Sequence, residues 1–392
     1  GRTDRRALEK RTWTATYNAA MQTKESASVA ATLLARLREA IAADGGWWGF
    51  DRFMAAALYT PGLGYYANDR RKFGTMPHSG SDFVTAPELT PLFGQALARQ
   101  LRQALVASGT AEIWEFGAGS GALASQILGA LGPAVSAYHI VDLSGSLRER
   151  QHERLAVERP EHLARVHWHD RLPDTMRGVV IGNEVLDAMP VQLLHFDGRQ
   201  WLERGVAIDG ERLTWADRPT ELRPPVEAAF VPGTVTEIHP QAEAFVRTLA
   251  AHLTRGVIFL LDYGFPEDEY YLPQRHGGTL MCHRAHRADP DPLVDVGEKD
   301  ITAHVNFTGI ALAAQDAGLD VLGYTSQGHF LLNCGLLELI PDGDLRATAA
   351  VQKLVNEHEM GELFKVIAFS RGVDTRHFEP LGFAHGDRTH RL

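Results

Sequence analysis

Residues 112–121 read Glu-Ile-Trp-Glu-Phe-Gly-Ala-Gly-Ser-Gly, and the residues that follow, Ala122 to Leu131, are Ala, Leu and Ile at helical spacing. An apolar run that breaks into alternate glycines and then becomes a helix is the strand, turn and helix that start an open α/β sheet. Glycines are needed at such a turn because the backbone takes dihedrals that a side chain forbids, and because a ligand can then lie directly against it.

Downstream, short apolar runs alternate with helical patterns, the signature of a parallel sheet with crossover helices. Strands are expected at 111–116, 136–142, 165–168 and 178–182, with helices at Ala122–Leu131 and Ser146–Glu158 after the first two. Val257 to Leu261 is wholly apolar, as a central strand should be, and ends in Asp262-Tyr263-Gly264. A helix over Gln241–Leu253 precedes it; a helix over Ile310–Ala317, strands near 320–333, a helix over Leu345–His358 and a last strand, Phe364–Phe369, complete the core, 111–371.

Two stretches interrupt this core. Between 190 and 225, Asp197-Gly198 and Asp209-Gly210 separate alternating runs and predict an antiparallel meander, closed by prolines from Pro219 to Pro225. Residues 265–307 read as a long irregular excursion. Ahead of the core, residues 29–110 read as helix and loop: helices over Val29–Ala43 and Phe53–Leu58, a glycine- and aromatic-rich loop from Tyr59 to Asp82, and an amphipathic helix that opens at Thr90-Pro91 and runs to Leu105. The basic opening stretch, 1–28, is set apart as a leader, and residues 372–392 as a polar, loosely held tail.

Composition narrows the function. The 392 residues are 44% hydrophobic with a formal net charge of −10, enough to bury a large core and without the basic field that draws a protein to nucleic acid. No run is long and apolar enough for a bilayer span, so membrane insertion is not expected. Two cysteines cannot make a disulfide framework, which suits a reducing, cytoplasmic setting. Cys282, His283 and His286, with His276 and His304 nearby, have no zinc-ligand spacing, so no metal is expected. Ser120 is the fourth residue of its glycine pentad, where a hydrolase elbow needs the third.

The glycine loop alone also fits GxGxxA, a dinucleotide fingerprint. Charge separates the readings. Glu115, two residues before Gly117, would repel a pyrophosphate but favours the ammonium and sulfonium of S-adenosylmethionine. Asp142, at the end of the second strand, can accept both hydroxyls of a ribose. Gly117, Ala118, Gly119 and Gly121 are then the backbone bed of the cofactor.

In these residues the chain resembles the MidA-like family of S-adenosylmethionine-dependent methyltransferases, which includes a mitochondrial complex I assembly factor that methylates protein arginine. The likeness runs from about Leu33 to Arg371 and is carried by LYTPGLGYY (58–66), GSDFVTAPELTPLFG (80–94), EFGAGSG (115–121), GNEVLDAMPV (182–191), LDYGF (261–265), GTLMCHRAHR (278–287), DITAHVNF (300–307) and GELFKV (361–366). Two departures show: Ser81 interrupts a usual GDF triplet, and Asn306 stands where an aspartate is expected. The resemblance implies a Rossmann-like class I methyltransferase sheet of seven strands, ordered 3-2-1-4-5-7-6 with the last antiparallel, and an N-terminal helical block and two insertions covering its carboxyl edge. It also implies that Asp170, after the third strand, contacts the adenine, and that Asn183 lies at the cofactor. A protein substrate such as a respiratory-complex subunit follows, and a mitochondrial matrix location if the source is eukaryotic.

An arginine nucleophile is a cation that must shed a proton as it is alkylated, which calls for carboxylates. Glu184 and Asp187, at the end of the fourth strand, are the acids expected to hold it, with Asp262 and Asp82 completing an acidic rim. Tyr65 and Tyr66 are candidates to wall the site. An assembly factor or chaperone that binds the cofactor without turnover is the alternative, and an NAD-dependent oxidoreductase is disfavoured by Glu115.

Overall fold

A computed structural model describes residues 28–68, 85–142, 144–284 and 287–392. Seven strands carry the central sheet: β1 (Glu112–Phe116), β2 (Ala137–Val141), β3 (Val166–His169), β4 (Met176–Asn183), β5 (Leu253–Phe265), β6 (Asp320–Ser326) and β7 (Phe364–Arg371). Their order across the sheet is β3-β2-β1-β4-β5-β7-β6, with β7 antiparallel to both β5 and β6 and the first five strands parallel. This is the class I methyltransferase arrangement that the family resemblance implies.

Alternation along β5 explains the layers. Val257, Phe259 and Leu261 enter one apolar cluster, and Ile258 and Leu260 the other, so both faces of the strand are buried. In chain order, α1 (28–43) and α2 (Phe50–Tyr59) precede the core; α3 (Leu92–Ser108), α4 (Ala122–Leu131) and α5 (Gly145–Glu158) supply the first face; α6 (Pro240–His252) and α7 (Phe307–Asp316) cover the second. Helix α3 stops where Gly109 turns left-handed and donates its N–H to the Leu105 and Val106 carbonyls.

The meander is present: strands Gln192–Phe196, Trp201–Asp209 and Arg212–Pro219 pair in antiparallel register across the two Asp-Gly turns. Its sheet also takes in Val235–Ile238 and, from the N-terminal block, Trp47–Gly49, so that block is not purely helix and loop.

Other expectations need correction. Residues 265–307 are not simply irregular, because Met281–Arg284, Arg287–Asp289 and Asp300–Thr302 form a three-stranded sheet. The strand expected up to 333 ends at Ser326, whose hydroxyl caps a helix over Gln327–Asn333. The tail is held: Phe378 and Phe383 are buried in the first core layer, and Asn333 Nδ2 donates to Gly382 O at 2.9 Å.

Candidate active site

At the carboxyl end of β1 the chain makes three left-handed glycine turns, with φ of 64° at Gly117, 52° at Gly119 and 79° at Gly121. An L side chain in this region costs on the order of 1–2 kcal/mol, so glycine is required at each. Gly117, Ala118 and Gly119 floor a cavity of about 1130 Å³. Gly121 sits behind that floor, where a Cβ would come within 3.3 Å of Gln151 Cα.

Two carboxylates flank the loop, as expected. Glu115 is buried and accepts from Tyr138 Oη at 2.7 Å. Burial pushes its carboxyl up to about 7, against the opposing effect of the Tyr138 hydrogen bond. Asp142 lines the cavity, its Oδ1 accepting from Ser144 N and its Oδ2 from Gln151 Nε2, both at 2.9 Å. Asp170, in contrast, is exposed beyond β3 and does not line the cavity; Leu172 does.

The second wall is built from the turn after β4. Asn183, Glu184 and Asp187 all face the cavity. Glu184 holds a left-handed φ of 54°, a conformation an L residue keeps only where the surroundings impose it. Here Glu184 N donates to Leu261 O at 2.8 Å, and Asp262 Oδ2 accepts from the N–H groups of Val185, Leu186 and Asp187 at 3.1, 2.8 and 3.2 Å. Asp262 is therefore buried beneath the turn and does not line the cavity, so the catalytic role expected of it becomes one of shaping the turn. Asp82 lies outside the described residues, as do Ser81 and His286.

The acids on this wall are electrostatically tuned. Burial and then the Asp187 charge push Glu184 up to about 8, and burial pushes Asp187 up to about 6 despite its bond from Tyr263. Burial and the carboxylates of Asp187 and Glu184 push Asp262 upward as well. Two acceptors on the wall, Asp187 Oδ1 and Asn183 Oδ1, are buried without a hydrogen-bond partner among the described residues.

Sequence reasoning missed Asp300. It arrives from the excursion, lines the cavity, and its Oδ2 accepts from Tyr66 Oη at 2.8 Å. Tyr66 does wall the site, together with Tyr59, whose ring stacks on it at 5.7 Å, whereas Tyr65 is buried behind in the N-terminal cluster. The signal for Asp300 was an acid within the DITAHVNF motif. His304 and His283 also line the cavity, and burial keeps His304 neutral by pushing it down to about 4. Asn306 is elsewhere: its Oδ1 caps α7 at Gly309 N and its Nδ2 donates to Glu267 Oε2 at 3.2 Å. An aspartate there would face Glu267 as a like charge, so the departure concerns a helix cap and not the cavity.

With the geometry in place, comparison with known proteins decides the family. Residues 94–325 match the model of a family described as "Putative S-adenosyl-L-methionine-dependent methyltransferase". The chain belongs to this methyltransferase family. A Burkholderia thailandensis member solved with S-adenosyl-homocysteine is 52% identical, with a TM-score of 0.90 over 94% of this chain and 98% of that one. Among curated proteins, the methyltransferase is 27% identical to the zebrafish Danio rerio "Protein arginine methyltransferase NDUFAF7, mitochondrial" over 80% of this chain and 81% of that one. It is also 27% identical to the Drosophila melanogaster homologue of that name, over 83% and 82%. The methyltransferase uses S-adenosylmethionine, and no helix among its described residues is long and apolar enough to cross a membrane.

The residues present fit that cofactor. The left-handed glycine floor leaves room for a ligand against the backbone, and Glu115 and Asp142 place carboxyl groups at two of its edges.

Proposed function

We propose that the enzyme methylates a guanidino nitrogen of a protein arginine, and that Glu184 and Asp187 are the acids that receive it. The observation that carries this reading is the convergence of three acids, Glu184, Asp187 and Asp300, on the cavity wall beside the cofactor floor. A guanidinium, with five N–H donors and a positive charge, is matched to such an acidic wall. The relatives from zebrafish and fly, named as protein arginine methyltransferases, support the same substrate class.

Bound S-adenosylmethionine supplies a methyl group on a positively charged sulfur. In our reading Gly117, Ala118 and Gly119 bed its methionine end with Gly121 shaping the turn behind them, Glu115 offsets its charge, and Asp142 takes the ribose. Methyl transfer forms an N–C bond and breaks the C–S bond, whose electron pair stays on sulfur, and the guanidino nitrogen gives up a proton. Glu184, held near neutrality by burial, is suited to take it: the arriving cation ionises the carboxyl, and the departing proton restores it. Asp187, oriented by Tyr263, and Asp300, oriented by Tyr66, hold the substrate. Tyr59 and Tyr66, stacked on each other, line the cavity beside these acids.

The MidA-like resemblance extends the proposal to a respiratory-complex subunit as target, met in the cytoplasm or the mitochondrial matrix. It also retains the division into an N-terminal block at 29–110, a core at 111–371 and a tail at 372–392.

Kinetics of Asp187→Asn and Glu184→Gln test the assignment. Each should lower kcat about a hundredfold, the usual scale for a positioned acid or base, with S-adenosyl-homocysteine affinity changed only a few-fold. Unchanged turnover in both variants would make the pair structural, and a selective loss of cofactor affinity would move them to the cofactor side.

A further inference from the structure

On α5 the buried residues are Leu147, Gln151 and Leu155, so a carboxamide stands where a leucine packs one turn to either side. Gln151 is fully buried, and a carboxamide out of water is costly unless its donors and acceptor are matched. Its Nε2 donates to Asp142 Oδ2 at 2.9 Å and to Gly119 O at 3.1 Å, and its Oε1 accepts from Trp168 Nε1 at 3.1 Å. One side chain thus bonds the acid at the end of β2, the middle glycine of the β1 loop, and β3.

We propose that Gln151 is a positioning residue for S-adenosylmethionine. It holds the Asp142 carboxylate and the glycine loop in register, so that ribose and methionine end are received together. The proposal rests on the reading of Asp142 as the ribose acceptor. Ser144 N fixes one carboxylate oxygen and Gln151 Nε2 the other, which sets the plane in which two neighbouring hydroxyls can be accepted. A leucine of similar size would keep the stripe apolar but remove the partners of Asp142 Oδ2, Gly119 O and Trp168 Nε1.

The test is calorimetric titration of wild type, Gln151→Leu and Gln151→Glu with S-adenosyl-homocysteine and with its 2′-deoxyribose analogue, with melting temperature as the control for folding. Gln151→Leu should bind S-adenosyl-homocysteine about tenfold more weakly, the scale of a hydrogen bond to a charged group, and should lose most of the preference for the full ribose. Gln151→Glu should bind poorly at pH 8, where its charge faces Asp142, and recover relative to wild type at pH 5, where a protonated carboxyl regains a donor. That recovery carries the test if the leucine variant does not fold. Unchanged affinity, or an equal loss for both ligands, would overturn the proposal. If Asp142→Ala keeps the wild-type preference for the full ribose, the ribose assignment itself fails, a result distinct from a failure at Gln151.

Discussion

Tyr263 donates its phenolic hydrogen to Asp187 Oδ2 at 2.5 Å, joining the end of β5 to the turn after β4. The bond favours the ionised form of an acid that burial otherwise pushes upward. Tyr263→Phe should therefore raise the Asp187 value further and move the acid limb of the pH–rate profile to higher pH. An unshifted limb in that variant would show that Asp187 ionisation does not govern the rate.

Asp262 makes a contrasting prediction. Its carboxylate accepts from three consecutive amides, so Asp262→Ala leaves buried donors unmatched and should destabilise the fold by about 2–4 kcal/mol. Asp187→Asn should cost far less stability while removing activity. Equal denaturant midpoints for Asp262→Ala and wild type would refute the turn-shaping role.

The raised Glu184 value has a consequence for stability. Between about 4.5, its unperturbed value, and about 8, the folded protein holds a proton that the unfolded chain has lost, so stability falls as pH rises through that window. Glu184→Gln removes this slope. It should raise the melting temperature more at pH 9 than at pH 5, and a pH-independent difference would contradict the burial argument.

Cofactor choice follows from charge. Asp142→Ala should weaken S-adenosyl-homocysteine binding by about 1.5–3 kcal/mol, through loss of an acceptor for two hydroxyls. NAD should not stabilise the wild-type protein in a melting assay, because Glu115 opposes a pyrophosphate at the loop. Stabilisation by NAD comparable to that by S-adenosyl-homocysteine would sink this account.

The sheet was legible in the sequence because its determinants are local. A glycine loop after β1, an apolar β5 and Asp-Gly turns in the meander each announce themselves within a few residues. What was not legible depends on long-range closure. Asp300 becomes a site residue only because the excursion folds back onto Tyr66, 234 positions away. Gln151 carries no signal of its own, since nothing in RERQHER tells which side of the helix faces the loop. Asp262 was read as part of the rim from its place at a strand end; its burial follows from a turn at Glu184 whose left-handed backbone no residue preference foretells. The tail looked polar, yet two phenylalanines dock it.

The most direct measurement is the position of the transferred methyl group. The purified protein would be incubated with isotopically labelled S-adenosylmethionine and a library of arginine-, lysine- and carboxylate-bearing peptides, alongside Asp187→Asn, and the product mapped by mass spectrometry. Wild type should place label on arginine guanidino nitrogen, and the variant about a hundredfold less. Label on lysine or on carboxylates, or arginine label undiminished in the variant, would contradict the arginine assignment.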